Sequence, residues 1–169
     1  MAEKYCFALM GNPNCGKTTI FNQITGMHQH VGNWPGKTVE KKVGYYNYQG
    51  FELEIVDLPG TYSLTAFSME EVISRDFILD EQPDAIINVV DSCNLERNLY
   101  LTVQILELGV PLVLVLNMTD VAESRGVKID TGSLSKALKS PVVQTVASSA
   151  QGINNLLATA IDLARKTKA

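Results

Sequence analysis

Residues 11–18 read GNPNCGKT, which matches the pattern G-x-x-x-x-G-K-[ST] of a phosphate-binding loop. The apolar run 5–10 before it is typical of a strand, and residues 17–25 after it have the spacing of a helix. In this context the backbone amides of the loop are expected to converge on a phosphate at the positive end of the helix. Lys17 would reach the β and γ oxygens, and the Thr18 hydroxyl would hold Mg²⁺. The sequence therefore predicts a site for a nucleoside triphosphate.

Residues 57–60 read DLPG and close the second strand of a predicted hairpin. The pattern D-x-x-G is weak alone, but its place one hairpin after a phosphate loop makes it informative. There, the Asp57 carboxylate would make a water-bridged contact to Mg²⁺, and the Gly60 amide would sense a γ-phosphate. Thr61 stands where many GTPases have a glutamine that orients water, so no side-chain base is evident.

Residues 117–120 read NMTD and end a buried strand. Asp120 can accept hydrogen bonds from both N1–H and the exocyclic amino group of guanine, whereas adenine has no donors in that arrangement. As the third motif in order, this segment favours GTP. Met118 stands where lysine is usual, so we predict loose binding and fast nucleotide exchange. Ala147 and Ser148 lie where a backbone amide would meet guanine O6, although no S-A-K triplet is present.

Apolar stretches with strand-like and helix-like spacing alternate along the chain, which favours an α/β fold. Six strands are predicted, at residues 5–10, 39–48, 51–58, 85–91, 112–117 and 142–146. About five helices are predicted, at residues 17–25, after a capping box at Ser68, between 95 and 109, at 133–139 and from 153. The sheet is mostly parallel with one antiparallel hairpin. Residues 26–38 lack periodicity and are predicted to form a long irregular connection that acts as a switch, with Trp34 exposed in it.

The composition is that of one ordinary domain. The chain has 169 residues, of which 46% are hydrophobic and 19% charged, and a formal net charge of −4. The acidic balance argues against nonspecific nucleic-acid binding. Apolar runs fall far short of the ~20 residues that span a bilayer, and the chain begins without an export signal, so it is expected to be soluble and cytosolic. Three cysteines without C-x-x-C spacing indicate neither a disulfide framework nor a zinc site.

From Gly11 to about Gly152 the chain resembles the GTP-binding domain of the FeoB family, ferrous-iron transporters of bacteria and archaea. The stretches that carry the resemblance are GNPN at 11–14, VGNWPGKT at 31–38, DLPGTYSL at 57–64, NVVD at 88–91 and NLERNL at 94–99. The resemblance implies a Ras-like P-loop GTPase with the hairpin at one edge of the sheet.

The same resemblance implies that a small helical domain and a membrane domain that carries Fe²⁺ follow the GTPase domain in full-length members. Residues 1–169 would then be a single excised G domain, which lies at the cytoplasmic face of the bacterial inner membrane in the intact protein. A separate small protein is the alternative. In the full-length protein, the partners of the G domain would be the helical and membrane domains of the same chain. A homo-oligomer is a further expected assembly, and no nucleic acid is expected as a partner.

The resemblance also assigns roles to the long connection. Thr38 would give a hydroxyl to Mg²⁺ and an amide to the γ-phosphate, as switch I does in related proteins. No arginine in this loop acts as a finger, a group worth ~10³ to 10⁵ in rate, so slow hydrolysis is predicted. By similarity to potassium-activated relatives, the Asn14 side chain and the backbone carbonyls of Gly32 and Trp34 would hold K⁺. Asn14 could instead only brace the loop.

The predicted site thus has four parts. The nucleotide would contact Gly11, Asn12, Pro13, Asn14, Cys15, Gly16, Lys17, Thr18, Thr19, Gly36, Lys37, Thr38, Asp57, Gly60, Asn117, Met118, Asp120, Ala147 and Ser148. Hydrolysis would use Lys17, Thr38, Gly60 and Asn14. Mg²⁺ would be held by Thr18, Thr38 and Asp57, and K⁺ by Asn14, Gly32 and Trp34. Cys15, next to Lys17 and a helix start, is either an acidic, redox-active thiol or a space-filling side chain.

The leading hypothesis is a regulatory GTPase domain coupled to Fe²⁺ transport. A TrmE- or Era-like GTPase of RNA modification or ribosome assembly shares the loop pattern G-N-P-N-x-G-K, although the acidic balance disfavours it. A nucleotide-binding interaction domain without useful turnover is the third hypothesis, because the glutamine is missing.

Overall fold

Seven strands form one sheet in the computed structural model, which describes residues 2–169. Along the chain they are β1 Lys4–Gly11, β2 Gln29–Asn33, β3 Glu40–Tyr48, β4 Phe51–Asp57, β5 Ala85–Asp91, β6 Leu112–Asn117 and β7 Val142–Gln144. They lie in the order β2-β3-β4-β1-β5-β6-β7. Strand β3 is antiparallel to both of its neighbours, and every other pair in the sheet is parallel.

Helices cover both faces of this sheet. They are α1 Lys17–Thr25, α2 Met69–Glu81, α3 Leu95–Glu107, α4 Thr119–Ser124, α5 Thr131–Leu138 and α6 Ile153–Lys168. Apolar side chains of α1 and α6 form the core on one face, and those of α2 and α3 form the core on the other. Among residues 2–169, no helix has the length and apolar character needed to cross a membrane.

The predicted fold class is confirmed, but two counts differ from the prediction. A seventh strand, β2, lies inside residues 26–38, which were predicted to be irregular. Its residues are mostly exposed, and it is held by backbone pairing with β3 from Gln29 opposite Gly44 to Asn33 opposite Glu40. Such an edge strand needs no alternating apolar pattern. Six α-helices are present rather than about five, because α4 is too short, at 6 residues, to show a period.

Candidate nucleotide site

The parallel strands end together at one edge of the sheet, and the predicted motifs follow those ends. In the strand register Asp57 at the end of β4 lies beside Leu9 of β1, and Asp91 at the end of β5 lies beside Asn117 of β6. Ligands of open α/β sheets bind outside the carboxyl ends of the strands. This edge is therefore the candidate site.

Two glycines let the phosphate loop lie close against the neighbouring strands. A Cβ on Gly11 would lie 2.6 Å from both the Cys15 sulfur and the carbonyl oxygen of Val89. Gly16 has a left-handed backbone with φ of 91°, and a Cβ on it would lie 2.1 Å from Nδ2 of Asn117. Any larger residue at Gly16 would collide with the end of β6, so the loop and the NMTD segment are built to touch.

Asn117 connects the phosphate loop to the loop that follows β7. Its side chain is 2% exposed, and its Nδ2 donates to the carbonyl oxygen of Cys15 at 3.0 Å. Its Oδ1 accepts from the Thr145 hydroxyl at 2.9 Å and from the Ala147 amide at 3.1 Å. The sequence motif marks Asn117 as a base-site residue, but it does not reveal that this side chain is the brace between two loops.

The remaining base-site residues lie next to this brace. Met118 has a left-handed backbone with φ of 61° and immediately precedes α4, whose first turn carries the exposed Asp120. Ala147 begins a short 3₁₀ turn, and its amide is occupied by Asn117, while Ser148 is exposed on the same turn. Asp120 follows Asn117 by three residues and the Ala147 amide is bonded to the Asn117 side chain, so both predicted base-site segments start next to Asn117.

Lys17 and Asp57 form an ion pair at the centre of the site. Their side chains are each 9% exposed, and the Lys17 ammonium donates to Oδ1 of Asp57. This contact places the DLPG carboxylate beside the start of α1, as the order of motifs predicts. Thr18, the next residue, is exposed, and its hydroxyl and the Asp57 carboxylate are the hard oxygen donors that Mg²⁺ prefers. The residues at this point fit that ion.

Switch I, which we define as residues 31–39, is not joined to the phosphate loop. Two backbone hydrogen bonds of 2.9 Å close its turn, from Trp34 N–H to the Val39 oxygen and from Lys37 N–H to the Trp34 oxygen. Gly36, Lys37 and Thr38 are exposed at the tip of the turn. Within residues 2–169 no hydrogen bond or ion pair links this turn to residues 11–19, so the structure does not bring Thr38 to Lys17 and Asp57.

The three predicted K⁺ ligands are likewise not gathered. Asn14 is exposed on the phosphate loop in a left-handed conformation, with φ of 67°. Gly32 is paired with Lys41 in the β2–β3 ladder. The Trp34 oxygen already accepts a hydrogen bond within its own turn. Within residues 2–169 no hydrogen bond links these three groups, and the K⁺ set stays a prediction.

The Trp34 side chain is buried, so the prediction that it is exposed is wrong. It is only 8% exposed, and its ring meets Phe77 of α2 edge to face, with 5.8 Å between centroids. The Lys41 ammonium lies 4.6 Å from the centre of the indole ring. Switch I is therefore packed on the helix that follows the DLPG segment, a contact for which residues 31–38 give no signal of their own.

The hypothesis of an acidic thiol at Cys15 is not supported. The side chain is buried, and burial raises its pKa to about 11, which outweighs the opposing effect of Lys17. A thiolate is the reactive form of cysteine, so this thiol is inert at neutral pH. The space-filling alternative agrees with its packing under Gly11.

A small cavity of about 190 Å³ lies on the outer side of the phosphate loop. Its walls are Asn12, Pro13, Asn14 and Cys15 of the loop, Tyr62 after the DLPG motif, Asp91 at the end of β5, Asn94 just before α3, and Arg97 and Asn98 in the first turn of α3. The residues between 91 and 98 are not among the predicted site residues. They belong to the NVVD and NLERNL stretches, which carry the resemblance but have no assigned role.

A family described as FeoB_N, ferrous iron transport protein B, matches residues 5–160. The chain belongs to this family. The Fe(2+) transport protein A/Fe(2+) transporter FeoB fusion protein of Porphyromonas gingivalis is 51% identical over 157 residues. That match covers 92% of this chain but only 19% of the relative, so the chain spans about a fifth of a curated FeoB relative.

Solved FeoB structures have the same fold. The FeoB G-domain from Methanococcus jannaschii is 46% identical with a TM-score of 0.85, and the match covers 97% of this chain and 99% of that one. The cytosolic domain of the T. maritima FeoB transporter in a GDP form is 42% identical with a TM-score of 0.95, over 99% of this chain and 66% of that one. The predicted recognition as a FeoB G domain is confirmed.

Proposed function

We propose that the chain binds GTP and hydrolyses it slowly, and that its loops switch between GTP and GDP states. The observation that supports this most is the convergence of the phosphate loop, the Lys17–Asp57 pair and the Asn117 brace on one edge of the sheet. The T. maritima relative was solved in a GDP form, which agrees with the same reading.

In this proposal the loop amides at residues 11–19 and the Lys17 ammonium hold the β- and γ-phosphates. Lys17 then exchanges its bond to Asp57 for phosphate oxygens, which leaves the carboxylate free. The free Asp57 carboxylate and the Thr18 hydroxyl would hold Mg²⁺, which neutralises phosphate charge when bound. Thr38 and the Gly60 amide would be the γ-phosphate sensors of the two switches. For Thr38 this requires the turn of switch I to move toward the phosphate loop.

Base selection is assigned to Asp120, whose carboxylate would accept both guanine donors. Asn117 is the brace that keeps this carboxylate, the 147–148 turn and the phosphate loop in one arrangement. Met118 would cover the base with an apolar side chain and offers no ammonium to fasten the surrounding loops. Loose binding with fast exchange follows from that difference.

Slow hydrolysis follows from what surrounds Gly60. Thr61 is buried, its amide donates to the Gly11 oxygen at 3.1 Å, and its hydroxyl has no partner within residues 2–169. It cannot replace the glutamine that orients water in many GTPases. We propose K⁺ stimulation with Asn14 as the side-chain ligand, which requires switch I to leave the conformation seen here.

The wider role is proposed from the relatives' names. The chain would be the G domain of a ferrous-iron transporter, followed by helical and membrane domains and located at the cytoplasmic face of the inner membrane. Full-length assembly as a homo-oligomer belongs to the same proposal. Because the family and the solved relatives are FeoB proteins, a TrmE- or Era-like role in RNA metabolism is not favoured.

The test measures binding and hydrolysis of GTP and XTP by the parent and Asp120→Asn, in K⁺ and in Na⁺ buffers. Xanthine has an oxygen where guanine has the amino group, so Asp120→Asn should lose GTP affinity and gain XTP affinity. Charge-assisted hydrogen bonds contribute ~1.5–3 kcal/mol, so a loss of about tenfold or more is expected. Glu123→Gln, on the same short helix and exposed, removes the same charge and should change neither.

Two results would contradict the proposal. If calorimetry detects no heat when guanine nucleotides and Mg²⁺ are added to the parent, the proposal that the chain binds GTP is wrong. Equal turnover in K⁺ and Na⁺ would remove only the potassium part and leave the GTPase assignment in place.

A further inference from the structure

Residues 58–67, which begin within the DLPG motif and continue to the start of α2, are attached to two different parts of the fold. We call this segment switch II. Its first half is held to β1 by backbone hydrogen bonds of 3.1 Å, from Leu58 N–H to the Leu9 oxygen and from Thr61 N–H to the Gly11 oxygen. Its second half leaves the sheet and makes its contacts with α3 and with the start of α2.

Two side chains on one face of α3 hold the second half. The Leu64 amide donates to Oε1 of Gln104 at 2.6 Å, and the Leu64 side chain is buried in the core beneath. Two residues earlier in switch II, the centre of the Tyr62 ring lies 4.9 Å from the Arg97 guanidinium. Positions 97 and 104 are two helical turns apart, so both side chains project from the same face of α3.

Arg97 makes no ion pair within residues 2–169, although an acid lies near it. Both oxygens of Asp91 are occupied at 2.9 Å, one by the Cys93 amide and the other by the Asn94 side-chain amide. The guanidinium instead lies over the ring of Tyr62, which is itself 49% exposed. Neither side chain belongs to the buried core, so the stacking contact is not explained by packing of the fold.

The far end of switch II is also fixed. Ser68 caps α2 by accepting from the Glu71 amide at 3.1 Å, as the capping box predicts. The Glu71 carboxylate does not return to Ser68 but accepts from the Thr65 hydroxyl at 2.8 Å and the Phe67 amide at 3.3 Å. Residues 62–64 therefore lie between a part of switch II that is bonded to β1 and a part that is bonded to α2, and they themselves contact α3.

Gly60 lies two residues before Tyr62 and close to the phosphate loop. A Cβ on Gly60 would meet backbone and ring atoms of Pro13 at 3.4 Å, which is a tight approach. The cavity beside the loop is bounded by Asn12, Pro13 and Asn14 together with Tyr62 and Arg97. Only Thr61, whose amide is bonded to the Gly11 oxygen, separates Tyr62 from Gly60, so the position of Tyr62 bears directly on the part of switch II that faces the phosphate loop.

We propose that Arg97 and Gln104 are positioning residues for GTP hydrolysis. Arg97 holds Tyr62, Gln104 holds the Leu64 amide, and together they set where the Gly60 amide stands relative to the γ-phosphate. This inference rests on the proposed function, because it concerns the same site. It gives one face of α3 a role that neither the motifs nor the relatives' names assign.

The test uses a loss variant and a conservative variant at each position. Arg97→Ala removes the cation, and Arg97→Lys keeps one over the ring. Gln104→Leu keeps the size but removes the acceptor, and Gln104→Glu keeps an Oε acceptor. Lys166→Ala on α6, exposed and remote from switch II, is the control for loss of one positive charge. Single-turnover hydrolysis, KM for GTP and Kd for GDP are measured for each.

The single-turnover rate of Arg97→Ala should fall about two- to fivefold, the range for an exposed cation–π contact. That of Gln104→Leu should fall about tenfold, because the Leu64 amide loses its acceptor in a partly buried place. KM and Kd should stay within about twofold of the parent, because neither residue is among those proposed to bind the nucleotide. Arg97→Lys and Gln104→Glu should recover most of the rate.

Parent-like rates in both loss variants, with GTP still bound, would overturn the positioning role and leave the proposed GTPase intact. A rate loss that Lys166→Ala reproduces, that the conservative variants do not relieve, or that a matching rise in KM accompanies would also overturn it. If the parent itself binds no guanine nucleotide, the proposed function fails first.

Discussion

The buried pair of Lys17 and Asp57 gives the sharpest prediction for the nucleotide-free protein. Each side chain is 9% exposed, so each charge depends on the other for its solvation. Asp57→Ala leaves the Lys17 ammonium buried without its partner. Removing one member of a buried pair typically costs ~3–5 kcal/mol, whereas replacing both by apolar groups of similar size is often neutral or stabilising.

We therefore expect Asp57→Ala to lower the free energy of unfolding by ~3 kcal/mol, the low end of that range, because this site lies at a strand end near solvent. For a chain of this size, ~2–4 °C of melting temperature corresponds to 1 kcal/mol, so a fall of about 6–12 °C follows. The double variant Lys17→Met/Asp57→Leu should recover most of this loss. Its nucleotide binding should be abolished, because both groups that are proposed to act on the phosphates and Mg²⁺ are gone.

Urea unfolding without nucleotide, followed by circular dichroism, measures these differences. The parent, Lys17→Met, Asp57→Leu and the double variant form the double-mutant cycle that isolates the coupling. The exposed pair of Lys4 and Glu52, 78% and 48% exposed, is the matched control. Glu52→Gln should cost less than ~1 kcal/mol, as is usual for a surface pair.

The reasoning is refuted if Asp57→Ala is as stable as Glu52→Gln, since the pair would then contribute no more than an exposed one. It is also refuted if the double variant is less stable than either single variant. In that case the two side chains would stabilise the fold through packing rather than through mutual charge compensation.

Two further predictions test the phosphate loop itself. Gly16→Ala should abolish nucleotide binding, because its Cβ would lie 2.1 Å from the Asn117 side chain. The control Gly50→Ala has a similar φ of 87° but no atom within 4 Å of the added Cβ, so it should only destabilise the fold by the strain of a left-handed alanine, ~1–2 kcal/mol, in thermal unfolding. Equal nucleotide binding by both variants would contradict the steric argument. In a Cys6→Ser/Cys93→Ser background, maleimide should label Cys15 at pH 8 far more slowly in the native than in the urea-unfolded chain, because burial raises its pKa from 9.0 to about 11. The same shift should cost stability as the pH rises from 9.0 towards about 11, and a native labelling rate like that of a free thiol would contradict it.

The parts of the fold that sequence predicts well are those buried on both faces. The predicted bounds of strands β5 and β6, 85–91 and 112–117, are those of the structure, because both are apolar runs, interrupted in β5 only by Asn88, that end at Asp91 and Asn117. Parallel strands buried between helix layers have this pattern. Because parallel strands end at the same edge of the sheet, the motifs at their carboxyl ends can be predicted to be neighbours once the strands are predicted.

The parts that sequence misses depend on contacts between distant segments. Backbone pairing with β3 positions strand β2, and Trp34 of switch I is buried against Phe77 of α2. The bond between Leu64 and Gln104 joins a loop to a helix that comes much later in the chain. None of these contacts leaves a periodic or spacing signal, because each depends on tertiary geometry rather than on neighbours in sequence.

Helix α2 is the element through which the two switches meet. Switch II leads into the capped start of α2 at Ser68, and switch I packs on the third turn of α2 through Trp34 and Phe77. A change that moves either loop must therefore either carry α2 with it or break the aromatic contact. Because α2 lies over the sheet with its apolar face buried, breaking the contact requires less of the core to move. We infer that switch I would leave Phe77 when Thr38 approaches the phosphate loop, while α3 keeps switch II in register.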